Sequence, residues 1–144
     1  MPKPDPSLLA PSRYTGRHVI MPRFGDLDYN MHVNNSAMAM FMEDARFCFN
    51  RNNGFYDDLG ESKSMLVSIA IEFLEQTHVN TPVTVHSAYE RLGRSSLTLL
   101  QLVTQDDRAV AFSRGVVVTA TSAGVAMPLP AAFVEKAHTL MLRP

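Results

Sequence analysis

The sequence predicts an α+β domain in which one five-stranded antiparallel sheet wraps a long central helix. Three observations carry this reading. Ser36 to Asn52 contains neither Gly nor Pro, which gives room for a helix of four or five turns. From Met65 onward the apolar residues recur every second position through four short segments. Short turn-like breaks separate those segments, which argues for consecutive hairpins.

The elements follow in order. Met1 to Gly16 carries Pro2, Pro4, Pro6 and Pro11, so an extended arm is expected there, with a single domain over 17–144. His18 to Phe24 alternates weakly between Gly16 and Gly25 and makes a first strand. The loop GDLDYNM leads to the helix, for which Asn35 or Ser36 is a suitable N-cap. Met38, Met40, Phe41, Met42, Ala45, Phe47, Cys48 and Phe49 cover most of its circumference. It should therefore be largely buried, with Glu43, Asp44 and Arg46 on a wet edge.

The turn-rich segment NNGFYDDLGESK precedes the strands. Their apolar positions are Met65, Val67, Ile69, Ile71 and Phe73, then Val83 and Val85, then Leu97, Leu99 and Val103, then Val110, Phe112, Val116 and Val118. Breaks fall at Asn80–Pro82, Leu92–Arg94 and Gln105–Arg108. Ala131 to Leu142, after Pro128 and Pro130, reads as a C-terminal helix. A sheet and a helix that are both apolar cover each other only if the sheet curls round the helix. The sheet's other face is also partly apolar in SLTLLQLV and GVVVTA, which predicts a homodimer or homotetramer with the sheet extended or packed across subunits.

At 144 residues one domain is expected to bury a full core without staples. A hydrophobic content of 46%, 19% charged residues and a formal net charge of -1 give no broad electrostatic footprint for nucleic acid or anionic lipid. Cys48 is the only cysteine, so no internal disulfide forms, and inside an apolar helix it reads as a buried hydrophobe in a reducing compartment. The proline-broken start lacks the apolar stretch of a signal peptide, and no segment has the length of a bilayer span, so a cytoplasmic protein is expected. His18, His32, His78, His86 and His138 show no zinc-site spacing, and neither metal nor cofactor is expected.

The densest chemistry lies in Arg23 to Asn35, RFGDLDYNMHVNN. Asp28, Asn30 and His32 are spaced by two just before the helix start, so a carboxylate, an amide, an imidazole and helix amides can converge. That set suits acyl transfer with a developing oxyanion. Taken singly, each reads as a turn or capping residue; jointly they point to function. Asp26 reads as structural, bonding loop amides or pairing Arg23 or Arg46, and Asn34 and Asn35 as capping residues.

This order of elements, with RxxDxDxxxHVNN at Arg23, Asp26, Asp28, His32, Val33, Asn34 and Asn35 and the following EDAR at Glu43 to Arg46, resembles the hot-dog fold thioesterases. The likeness is to the 4-hydroxybenzoyl-CoA thioesterase-like group and the plant acyl-carrier-protein thioesterases. It covers 17–122 in element order, and only the first third at motif level. The resemblance implies an acyl-CoA thioesterase with Asp28 as general base or nucleophile. It also implies an active site between two subunits, with Met38 beside it and Gln76 and Thr77 approaching from the partner. Arg94 and Ser96, in the hairpin ERLGRSS, match positions that contact the CoA phosphates, although a solvated hairpin charge is the plainer reading.

The chain departs from many relatives at Met38, where they carry tyrosine. It also departs at Gln76 and Thr77, where the plant enzymes carry an acid and a cysteine. The hydratases of this fold place the His five residues after the Asp, whereas His32 is four after Asp28. The alternatives are therefore an acyl-carrier-protein thioesterase, a hydroxyacyl-thioester dehydratase and a non-catalytic acyl-CoA-binding module.

In mechanism, Asp28, partly desolvated in a cleft, would activate water or attack the thioester carbonyl. Asn30 would position it, and His32 would donate to the carbonyl or orient Asp28. Helix amides near Asn35 would hold the oxyanion. The methionines of AMAMFM fit either core packing or the wall of an acyl pocket.

Overall fold

The computed structural model describes residues 3–144. A first strand, β1 (Gly16–Ile20), leads to the central helix α1 (Asn35–Asn52) and a short helix α2 (Phe55–Leu59). Four strands follow, β2 (Lys63–Phe73), β3 (Val83–Leu92), β4 (Ser96–Gln105) and β5 (Arg108–Ala120), and then α3 (Ala131–Ala137). All pairings are antiparallel, in the order β1-β3-β4-β5-β2. The sheet curls round α1, which is the hot-dog architecture.

β1 ends at Ile20, short of the expected Phe24, because Pro22 removes a ladder donor and Phe24–Asp26 turns into a 3₁₀ helix. Gly16 is needed where β1 begins under the helix: a Cβ there would fall 2.3 Å from the Phe49 ring. The N-cap of α1 is Asn34, whose Oδ1 accepts from the Ala37 amide at 2.6 Å, in place of Asn35 or Ser36. The segment expected as a turn contains α2, which starts after Gly54 at φ 78° and buries Phe55 and Leu59. The C-terminal helix stops at Ala137, continues as a 3₁₀ turn to Leu140, and gives way to extended backbone at Met141.

One face of α1 is buried rather than the whole circumference. Met38, Phe41, Met42, Ala45 and Phe49 face the sheet, whereas Met40 and Phe47 are 63% and 46% exposed. Arg46, expected on the wet edge, is buried, and Cys48 is only half-buried.

Two inner clusters fill the space under the helix. One joins Val33, Met38 and Met42 to Val83, Val85 and Val103; the other joins Phe49, Phe55 and Leu59 to Tyr89, Leu97 and Phe133. The middle of the outer sheet face is covered by the chain's own terminal segments. Leu8, Leu9, Tyr14 and Leu142 pack on Ala88, Leu100, Leu102 and Phe112. The proline-rich arm is accordingly not simply extended: Pro6–Leu9 and Pro11–Arg13 form 3₁₀ turns, started by prolines whose fixed φ suits the first position, while Met1 and Pro2 lie outside the described residues. Among the described residues no helix is long and apolar enough to cross a membrane.

Candidate active site

The loop between β1 and α1 is built around Asp28. Its Oδ1 accepts from the amides of Asn30 at 2.8 Å and His32 at 3.2 Å, and its own amide donates to the His32 carbonyl at 2.8 Å. Met31 adopts φ 63°, the left-handed turn that lets Leu27 and Val33 bridge across the loop base. Asp26 is structural: it is buried, and its Oδ2 accepts from the Arg23 amide at 2.7 Å and lies 3.5 Å from Arg23 Nε.

A cleft of about 340 Å³ opens beside this loop, lined by Asp28, Asn30, His32, Asn35, Met38, Gln76 and Thr77, with Glu75 and Val110. Seven of the nine candidate positions therefore meet in one place. Gln76 and Thr77 reach it within the same chain, and the Thr77 carbonyl accepts from the Val33 amide at 2.7 Å. Met38 is buried beneath the cleft. Arg94 and Ser96 are elsewhere, in the β3–β4 turn at the far end of the sheet, where the Gly93 amide donates to the Ser96 carbonyl at 2.7 Å.

Asp28 is exposed in this chain, not partly desolvated as expected, and the loop tip carries Phe24 and Tyr29 at 80% and 99% exposure. Within the chain only Oδ1 of Asp28 is held among the described residues, so Oδ2 is free for water or substrate. His32 lines the cleft, and its Nδ1 is buried without a hydrogen-bond partner among the described residues. At the N-terminus of α1, Asn34 takes the amides of Ala37 and Met38. Those of Asn35 and Ser36 have no acceptor among the described residues and sit at the positive end of the helix dipole.

Two contributors were not anticipated. Glu75 brings a second carboxylate to the cleft, ion-paired with Arg108, and only the adjacency to Gln76 could have signalled it. Gln105, buried at the end of β4, accepts from the His78 amide at 3.0 Å and donates to the carbonyls of His78 at 2.7 Å and Thr81 at 2.9 Å. It thereby pins the segment that carries Gln76 and Thr77. A larger hollow of about 900 Å³, under residues 3–9, shares the wall Phe73 to Glu75 with the cleft.

Away from the cleft, ligand atoms of His18, Asp44 and Cys48 lie within 4.8 Å of one another. His18 Nε2 and Asp44 Oδ2 already satisfy each other at 2.8 Å, so the group is a hydrogen-bonded pair with a thiol beside it.

Comparison with known proteins agrees with this fold. The thioesterase-like superfamily matches residues 22–137. A thioesterase of Thermus thermophilus, solved with coenzyme A and zinc, superposes with a TM-score of 0.80 at 30% identity, covering 92% of this chain and 98% of that one. A structure described as a predicted thioesterase from Bacillus stearothermophilus gives a TM-score of 0.82 at 25% identity, over 90% of this chain and 98% of its own. A thioesterase-superfamily protein from a Jannaschia species, at 16% identity and a TM-score of 0.80 over 87% and 92% of the two chains, shares the fold. No curated protein matches the sequence. The family match spans the Asp28 loop, the central helix and the whole sheet beyond β1, and on that ground the chain belongs to the thioesterase-like superfamily.

Proposed function

We propose that this protein hydrolyses an acyl-CoA to the free acid and CoA, with Asp28 as general base or nucleophile. Thioester hydrolysis is the chemistry its superfamily supports, and the CoA bound by the Thermus thermophilus relative supports a CoA thioester as substrate. The observation that carries the reading is the convergence on one cleft of a carboxylate with a free oxygen, the His32 side chain and the start of α1, where the Asn35 amide is unpaired.

A thioester carbonyl is already electrophilic, so activation of water and stabilisation of the oxyanion suffice. Asp28 Oδ2 would take the proton of water, or attack the carbonyl carbon directly, and positioned general bases contribute about 10²- to 10⁴-fold. Asn30 would fix the water, and the His32 imidazole would meet the carbonyl or orient Asp28. The amides of Asn35 and Ser36 would receive the oxyanion, a donor of this kind being worth about 2.7–4 kcal/mol.

A homodimer completes the proposal. β2 has β5 on one side only, and Met65, Val67 and Ile69 on it are exposed. A long apolar strand with an unpaired edge calls for a partner. Antiparallel pairing of β2 with its copy would bring the partner's Lys63 end, and the Arg94–Ser96 turn beyond it, to the end of the sheet where this chain's cleft opens. Arg94 and Ser96 would then serve the CoA phosphates of the neighbouring site, and the exposed Asp28 would lose solvent.

Binding without turnover is the second reading, favoured by Met38 where many relatives carry tyrosine and by the exposure of Asp28. Thiol release from short, long and aromatic acyl-CoAs, with wild type and Asp28→Asn side by side, decides between them. The asparagine Oδ1 keeps the loop's hydrogen bonds, so a fall of about 10²-fold or more with the melting temperature retained is expected. No turnover of any acyl-CoA, with binding retained, would overturn hydrolysis.

A further inference from the structure

Arg46 is a buried charge without a counter-ion. It is 9% exposed, and its one side-chain partner is neutral: Nη1 donates to Gln101 Oε1 at 3.3 Å. Among the described residues no carboxylate pairs with it. Burial holds the guanidinium below its usual pKa, and Glu43 offsets this only in part. A guanidinium taken out of water without an anion is costly, and proteins seldom retain one.

The guanidinium borders a hollow of about 180 Å³ between α1 and β2, lined also by Glu43, Phe47, Asn50, Ser64 and Leu66. Glu43 is the only acid on that lining. Asn50 spends its Oδ1 on the Tyr89 hydroxyl at 2.6 Å. On α1, Met40, Glu43 and Phe47 fall at i, i+3 and i+7, a stripe on one helix face. All three are exposed, and the stripe continues onto the exposed Leu66 of β2. The surface is therefore apolar, contiguous with the unpaired strand edge, and carries one buried cation and one exposed anion.

In a two-fold contact a patch meets its own copy, and whatever one protomer offers the other receives. We infer that this face is the α1 half of a self-association surface in which Glu43 of each protomer enters the other's hollow and pairs with Arg46. The contact occurs twice, Met40 and Phe47 exclude water around it, and its acid is the only one the patch can supply. This rests on the homodimer proposed above and specifies which charges hold it together.

Sedimentation velocity over a dilution series tests it, read independently of turnover. Glu43→Lys should raise the dimer dissociation constant about tenfold or more, because it leaves Arg46 unpaired and adds a like charge. Arg46→Glu should do the same, and Glu43→Lys with Arg46→Glu together should recover most of the loss. Circular dichroism on each variant separates misfolding from dissociation, and Glu43→Gln, on an exposed side chain, supplies a variant that keeps the fold. A dimer whose dissociation constant is unchanged by Glu43→Gln and Glu43→Lys would overturn the pairing. A monomeric wild type at the highest concentration would overturn the pairing and the dimer, yet leave thiol release free to succeed or fail on its own.

Discussion

Replacing Gln105 tests whether the cleft is held from behind. Its side chain is 2% exposed and makes three hydrogen bonds to the His78–Thr81 segment, at 3.0, 2.7 and 2.9 Å. Gln105→Leu would leave one amide and two carbonyls without partners. Each buried group left unsatisfied costs about 1–3 kcal/mol, and because His78 and Thr81 are only half-buried the low end applies, about 3 kcal/mol in all. For a domain of this size that corresponds to a melting temperature lower by about 6–12 °C. Gln105→Glu is the sharper probe. It keeps the acceptor for the His78 amide but turns an oxygen toward two carbonyls, so at neutral pH it should be at least as damaging as leucine, and less so in acid, where the carboxyl gains a proton. Thermal unfolding by circular dichroism gives the stability. Thiol release well below the melting temperature then shows whether loosening Gln76 and Thr77 also weakens the site. A glutamate variant that melts within about 2 °C of wild type at neutral pH would refute the clamp.

Asn34→Ala removes the N-cap bond to the Ala37 amide, and a loss of about 1 kcal/mol, or about 3 °C by scanning calorimetry, is expected. An unchanged transition would mean that water caps α1 equally well. His86 is half-buried on β3, and burial together with the Arg17 charge opposite it holds its imidazole below the ordinary 6.5. The unfolded chain then takes up that proton more readily than the native state. Its contribution to stability is complete above about pH 6.5 and lost as pH falls from there toward the folded-state value. Urea unfolding at about pH 7.5 and 5.5 should show a smaller acid loss for His86→Gln than for wild type, and equal losses would rule out this source.

The helix, the four strands after it and the cleft residues are legible in the sequence because each is written in local spacing. The break at Asn80–Pro82, however, is a crossover rather than the expected hairpin, since β2 pairs with β5 and β3 with β1 and β4, a choice of neighbour that local spacing does not encode. Asp28, Asn30 and His32 sit on one tight loop, and such loops announce themselves in a few residues. The N-cap falls one position before the expected one because Asn34, Asn35 and Ser36 are all good caps, and only the backbone chooses among them. α2 is hidden in a segment rich in Gly, Asn and Asp. Arg46 looks like surface because its neighbours Glu43 and Asp44 are, and nothing in an all-round apolar helix tells which polar residue turns inward. Gln105 and Glu75 depend on strand ends that meet only in three dimensions. Arg94 and Ser96 are tied to the cleft by resemblance alone, whereas within one chain they sit at the other end of β3 and β4.

The two ends of the chain are tied together on the outer sheet face. The Arg143 amide donates to the Arg13 carbonyl at 2.8 Å, Arg13 Nε donates back to the Arg143 carbonyl at 2.7 Å, and the Leu142 amide bonds the Tyr89 carbonyl at 2.8 Å. Synthesis is vectorial, so Tyr14 and the strands emerge from the ribosome long before Leu142. The outer face stays open at Phe112 and Leu100 until the segment around residues 140–143 has cleared the exit tunnel. Closure of this face is thus a late event in folding, and a nascent chain paused short of Leu142 presents an unfinished apolar sheet to whatever chaperone is nearby.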